Sequence, residues 1–137
     1  MYFRILNGVA AALFAFAVVV QYNDPDPLVW VGLYASACAI CVAVAVRGVI
    51  PLIPTLAVGA IALGWALAVA AGVPVAVYTD MFDAWEMKSA SIEEARETSG
   101  LLIVAAWMAT LYWMWRRGRA EFNRPGFNRH HDTHPPT

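Results

Sequence analysis

The sequence predicts an all-α integral membrane protein, built as a four-helix bundle. Of its 137 residues, 61% are hydrophobic and 14% are charged, and its mean hydropathy is +0.58. Soluble domains are roughly 45–50% apolar and about 25% charged. The apolar residues form four long stretches, and about 20 such residues in a helix cross the ~30 Å hydrocarbon core of a bilayer. Because lipid offers the backbone no hydrogen-bond partners, we expect these spans to be helical.

The four spans are predicted at residues 4–22, 27–47, 52–73 and 97–117. Together they make a membrane domain over residues 1–120. Residues 121–137 contain prolines, arginines and all three histidines, a composition that favours a disordered cytoplasmic tail.

Turn residues mark the ends of these spans. Asp26 before Pro27 is typical of a helix N-cap followed by proline at the first helical position. Gly48 follows the second span, where a left-handed glycine often ends a helix. Ser91 and Glu94 form a capping-box pattern that would begin the fourth helix well before the membrane.

The basic residues are sorted to one side of the four-span model. Seven of the nine lie on the side that carries both termini: Arg4, Arg47, Arg116, Arg117, Arg119, Arg124 and Arg129. The positive-inside rule therefore predicts that both termini are cytoplasmic. Eight of the ten acids lie on the opposite side and make the outward surface acidic: Asp24, Asp26, Asp80, Asp83, Glu86, Glu93, Glu94 and Glu97.

Several classes of function are disfavoured. The net charge of −1 leaves no basic excess for nucleic acid, so no nucleic-acid partner is expected. No charge lies in the middle of a span, which argues against a transporter or channel. All histidines lie in the tail, so the outward side has no histidine acid or base. Cys38 and Cys41 are interpreted as small buried hydrophobic residues of the second span.

The turn between the first two spans is the first candidate site. Its residues Asn23 and Asp24 precede Asp26 and Pro27. Carboxylate and amide oxygens are ligands for hard cations such as calcium. The alternative is that these residues only cap a helix and stiffen a tight turn. Asp26 has an evident capping role, whereas Asn23 and Asp24 do not.

The second candidate site is the start of the fourth helix. Glu93, Glu94, Arg96 and Glu97 follow one another closely, and residues three or four apart share a helix face. They form either a solvated helix start, whose acids favour the helix dipole, or a polar site facing the bundle at the membrane boundary.

Two further segments have alternative interpretations. Residues 80–88 predict a short amphipathic helix on the outer face, and the functional alternative is a lid over a site. In the third span, small residues recur every four positions at Ala60, Gly64, Ala68 and Gly72. Such a stripe lets helices approach closely. Packing inside the chain's own bundle is the preferred interpretation, and a second copy or a larger membrane complex is the other.

Two motifs resemble the transmembrane protein 220 family of small membrane proteins. One runs from Val20 to Asp26 and contains Asn-Asp-Pro-Asp ahead of Trp30 and Tyr34. The other runs from Ile92 to Ile103, with Glu-Glu-Ala-Arg-Glu followed by Gly100, and leads into Trp107. The resemblance covers the four-span core and not the tail. It implies a small helical bundle and carries no known reaction.

Both motifs lie on the outward side, so we expect one acidic binding site there. Its predicted residues are Asn23, Asp24, Glu93, Glu94, Arg96 and Glu97, with Asp24, Glu93 and Glu97 as candidate ligands of a divalent cation. The leading hypothesis is a non-enzymatic protein of a bacterial inner membrane that binds a cation or a basic partner segment. The alternatives are an accessory subunit of a larger membrane complex and a carboxylate-based membrane enzyme.

Overall fold

A computed structural model describes residues 2–21, 27–74, 77–80 and 90–122. Its helices are α1 (Tyr2–Val20), α2 (Pro27–Arg47), α3 (Leu52–Ala70), α4 (Val77–Asp80) and α5 (Ala90–Phe122). Four of them, α1, α2, α3 and α5, are long and apolar enough to cross a membrane. The predicted all-α fold with four membrane-spanning helices is confirmed. Most of the predicted outer amphipathic segment, residues 81–88, lies outside the described residues.

The helix ends follow from local backbone chemistry. Gly48 has a positive φ of 69°, and its N–H donates to the Val44 carbonyl at 2.9 Å, as expected for a glycine that ends a helix. After α3, the Gly72 N–H donates to the Val69 carbonyl at 3.0 Å, which tightens the last turn. Helix α5 begins at Ala90, so Ser91 lies inside its first turn and not at the predicted cap position.

The helices form two antiparallel pairs, α1 with α2 and α3 with α5. The Arg4 guanidinium donates to the Ala45 carbonyl at 2.8 Å, which places the start of α1 beside the end of α2. Gly59 near the start of α3 contacts Met108 in the second half of α5. Since α2 and α3 also run in opposite directions, α2 and α5 run in the same direction. The pairs meet through contacts of α2 with α3 and of α2 with α5.

This arrangement gives the bundle two chemically different ends. The arginine end is defined by four side chains at the start of α1, the end of α2 and the last turns of α5: Arg4, Arg47, Arg116 and Arg117. The carboxylate end is defined by Glu93, Glu94 and Glu97 on the first turns of α5.

Four aromatic rings join α1, α2 and α3 in the core. The Trp30 ring of α2 stacks on Trp65 of α3 with 4.6 Å between centroids. Trp30 also lies 6.2 Å from the Tyr34 ring, and Tyr34 lies 6.5 Å from Phe14 of α1. Aromatic pairs at such distances contribute about 0.5–1.5 kcal/mol beyond the area they bury. We call these four residues the aromatic cluster.

Helix α5 buries one stripe of side chains against the rest of the bundle. The buried residues recur every three or four positions, as a helix face requires: Ala95, Thr98, Leu101, Val104, Met108 and Leu111. Because this stripe is narrow, the other faces of α5 are available to contact lipid and, at the start of the helix, to carry polar residues.

Helices α2 and α5 approach each other closely at Tyr34 and Gly100. A Cβ atom built on Gly100 would overlap the Tyr34 hydroxyl oxygen. Tyr34 is buried and held between the rings of Phe14 and Trp30, so its hydroxyl cannot move away easily. Gly100 is therefore needed for α5 to lie against α2 at this level.

The small-residue stripe of α3 is exposed and is not packed inside the chain's own bundle. Ala60, Gly64, Ala68 and Gly72 are all exposed, and a Cβ built on Gly64 would meet open space. The interpretation that this stripe packs inside the bundle is therefore wrong. Other small residues of α3 are buried instead, namely Ala62 and Ala66, because each helical residue is turned by about 100° from the last.

One polar side chain links α1 to α2 within the apolar region. Asn7 is fully buried, and its Nδ2 donates to the Cys41 carbonyl. Such interhelical hydrogen bonds in membranes contribute about 0.6 to 2 kcal/mol. The Asn7 Oδ1 is buried and has no hydrogen-bond partner among the described residues.

Replacing Gly100 by alanine is expected to destabilise the protein by about 1–3 kcal/mol, because the new methyl group overpacks the contact with Tyr34. The measurement is unfolding in detergent, followed by circular dichroism. Gly64→Ala is the matched control, since its new methyl group enters open space and alanine favours the helix. Equal stability of the two variants would contradict the close α2–α5 contact.

Candidate binding site at the carboxylate end

The four charged residues predicted at the start of α5 lie together on its first turns. Glu93, Glu94, Arg96 and Glu97 are each half-buried. Their neighbours Ala95 and Thr98 are fully buried. A helix turn surrounded by solvent would expose its long charged side chains, so this part of α5 packs against other parts of the chain.

Gly100 shows which side of α5 these residues share. It contacts Tyr34 of α2, and Glu93, Arg96 and Glu97 precede it by seven, four and three residues. Residues at these spacings lie on one helix face. These three charged residues therefore lie on the face of α5 that meets α2, farther toward the N-terminal end of α5.

The hydroxyl groups beside the cluster are used within the helix. Thr98 Oγ1 donates to the Glu94 carbonyl at 2.8 Å, and Ser99 Oγ donates to the Ala95 carbonyl at 2.8 Å. Donation to the carbonyl four residues earlier is the usual arrangement of Ser and Thr inside helices. Both hydroxyl hydrogens are therefore used within α5, and the carboxylates remain the main ligand-type groups of this turn.

Tyr34 is a residue of this region that the sequence did not identify as a site residue. Its ring belongs to the aromatic cluster and its hydroxyl reaches the α5 backbone at Gly100. The available signal was the aromatic pair Trp30 and Tyr34, one helical turn apart, together with a glycine in the second motif. Neither pattern reveals that Tyr34 contacts Gly100, because contact between distant segments leaves no periodic pattern in the sequence.

The predicted turn residues Asn23 and Asp24 lie outside the described residues. Helix α2 begins at Pro27, so the turn adjoins the start of α2. Among the described residues, no three Asp, Glu, His or Cys side chains are grouped so that they could hold a metal ion. The glutamates of α5 therefore form a metal site only if further ligands come from outside the described ranges, and Asp24 is the predicted one.

The two cysteines lie at the interface of α1 and α2. Cys38 Sγ donates to the Ala11 carbonyl at 3.4 Å, and Cys41 is buried. The thiol of Cys41 lies beside the indole of Trp107 on α5, whose buried Nε1 lacks hydrogen-bond geometry to any described partner. These contacts agree with the interpretation of both cysteines as packing residues.

Comparison with known proteins places the chain in a family. The model of transmembrane family 220, helix, matches residues 13–113. This range contains all of α2 and α3, parts of α1 and α5, and both motifs. No solved structure matches the chain. The family match and the four apolar helices identify a multi-pass membrane protein. The chain belongs to transmembrane family 220.

Proposed function

We propose that this membrane protein binds a cationic group at its carboxylate end. The site consists of Glu93, Glu94, Arg96 and Glu97 on α5, with Asn23 and Asp24 from the turn before α2. The cationic group is a divalent metal ion or a basic side chain of a partner segment.

The observation that carries this proposal is the half-burial of all four charged side chains of α5. Three carboxylates and one guanidinium give these four residues a net charge of −2. Removing charges from water is costly unless they are paired, and acids at the membrane boundary that face a bundle tend to be functional. A bound cation offsets the net charge of −2 that these four residues carry together.

The register of α2 and α5 supports a contribution from the turn. The two helices run in the same direction and touch at Tyr34 and Gly100. Seven residues before these positions lie Pro27 and Glu93, each about 10 Å farther toward the carboxylate end at ~1.5 Å per residue. Pro27 therefore lies at about the level of Glu93, and Asp24 precedes Pro27 by three residues in the sequence.

Neutralising one acid from each motif is expected to weaken cation binding. Asp24→Asn and Glu97→Gln should each raise the Kd by about tenfold, since each removes one charge-assisted ligand. The measurement is isothermal titration calorimetry of the purified protein in neutral detergent, with calcium chloride and a synthetic lysine-rich peptide as separate probes.

Glu121→Gln is the matched control, because it removes the same charge near the other end of α5 and should leave the Kd unchanged. Binding of calcium alone would identify a metal site, and binding of the peptide alone a partner site. Absence of binding by both probes, or equal weakening by Glu121→Gln, would contradict the proposal.

An accessory or self-associating role is the second candidate function, and the exposure of the α3 stripe favours it. Ala60, Gly64 and Ala68 lie one helical turn apart and are exposed, and a Cβ built on Gly64 would meet open space. Small residues on such a face allow a helix of another subunit to approach closely, which is how many membrane helices associate.

Gly64→Leu is expected to abolish association through this face, because a bulky side chain separates the two helix backbones. Chemical cross-linking in native membranes measures the fraction of dimer or larger complex. Ala39→Leu places the same side chain on an exposed position of α2 and should leave association unchanged. A wild-type chain that stays monomeric and captures no stoichiometric subunit would rule out this role.

A further inference from the structure

The bundle is open along one side, between α1 and α5. These two helices make little direct contact within the described residues, and a groove of about 360 Å³ separates them. Its walls include Leu6, Val9 and Leu13 of α1 and Ile103, Ala106 and Trp107 of α5. We call it the α1/α5 groove. Its place between two membrane-spanning helices opens it toward lipid.

The groove is suited to an apolar chain. Leu6 and Leu13 are 57% and 63% exposed, so its walls present aliphatic surface. Thr110, a polar residue on the lining, donates its hydroxyl to the Ala106 carbonyl at 2.9 Å. An occupant therefore gains van der Waals contact along the walls and needs no polar group at this depth.

The groove is large enough for a single lipid chain. On α1 the lining extends from Leu6 to Phe14, which is about 12 Å at ~1.5 Å per residue. A groove volume of about 360 Å³ falls within the range of small-molecule sites, which begin at about 300 Å³.

A cationic group lies on the same face of α5, beyond the groove. Trp113 and Arg117 follow Thr110 by three and seven residues, so they continue the groove-lining face toward the arginine end. The Arg117 guanidinium lies 3.6 Å from the centroid of the Trp113 ring. This cation–π contact holds the guanidinium in place while its N–H donors stay available.

We propose that the α1/α5 groove binds an anionic phospholipid, with one acyl chain along the groove and the phosphate on Arg117. Arginine recognises phosphate through paired N–H donors, and tryptophan prefers the headgroup level of a membrane. Arg4 on α1 and Arg116 on α5, the two helices that line the groove, add positive charge that favours an anionic over a zwitterionic headgroup.

The test is native mass spectrometry of the whole protein in neutral detergent with equal amounts of dioleoyl phosphatidylglycerol and dioleoyl phosphatidylcholine. The wild type should retain phosphatidylglycerol over phosphatidylcholine by about tenfold, because the choline cation of phosphatidylcholine offsets the charge of its phosphate and is repelled by the Arg117 guanidinium. Ala106→Trp fills the groove and should remove most of the bound lipid of both kinds. Ala109→Trp adds the same side chain to an exposed position that lines a different groove, between α3 and α5, and should retain the lipid.

A second pair of variants tests the headgroup contact without changing the groove. Arg117→Gln should bring the ratio of the two lipids close to one. Arg47→Gln removes the same charge at the same end, from a helix that does not line the groove, and should preserve the ratio. These substitutions at exposed positions leave the core intact, so they remain informative if a tryptophan variant fails to fold.

Three results would overturn the proposal. The first is a wild type without preference for phosphatidylglycerol. The second is equal loss of preference in Arg47→Gln and Arg117→Gln, which would indicate nonspecific attraction. The third is an Ala106→Trp variant that keeps its lipid or that only converts a dimer into a monomer, which would assign the groove to a second copy of the chain. None of these results bears on cation binding at the carboxylate end.

Discussion

The contact between the Tyr34 hydroxyl and the Gly100 backbone is the constraint on which the rest of the architecture depends. Tyr34 is fixed by the rings of Phe14 and Trp30, and Trp30 stacks on Trp65. One buried ring of α2 thus ties α1 and α3 to a single level of α5. Helix–helix association in lipid depends on close packing, since lipid tails are as apolar as leucine. A glycine at the point of contact allows the approach that a side chain would prevent.

This contact separates two surfaces with different chemistry. On the carboxylate side of Gly100, the face of α5 that meets α2 carries Glu93, Arg96 and Glu97, which are half-buried in the chain. Toward the arginine end, the α1/α5 groove lies between α1 and α5, and Arg117 follows it on the same face of α5. Polar recognition is therefore expected at one end of the bundle and lipid recognition at the other.

The sequence was sufficient for the features that depend on local chemistry. Long apolar stretches predict the four helices, and Gly48 marks the end of α2 because only a left-handed glycine fits there easily. It was insufficient for the features that depend on which helix faces meet. The stripe of Ala60 and Gly64 suggested internal packing, yet Ala62 and Ala66 pack inside, since both sets have helical spacing. The contact of Tyr34 with Gly100 and the open side of the bundle depend on tertiary packing, which no local pattern encodes.

The proposed cation site requires that the turn before α2 and the first turns of α5 lie next to each other. Cysteine cross-linking tests it most directly, with Asp24→Cys paired with Glu93→Cys in a chain carrying Cys38→Ala and Cys41→Ala. A short bismaleimide should join positions 24 and 93 rapidly in native membranes. The pair of positions 24 and 102 is the control, because Leu102 is exposed and lies farther along α5. If positions 24 and 93 are cross-linked no faster than positions 24 and 102, the two segments do not form one site.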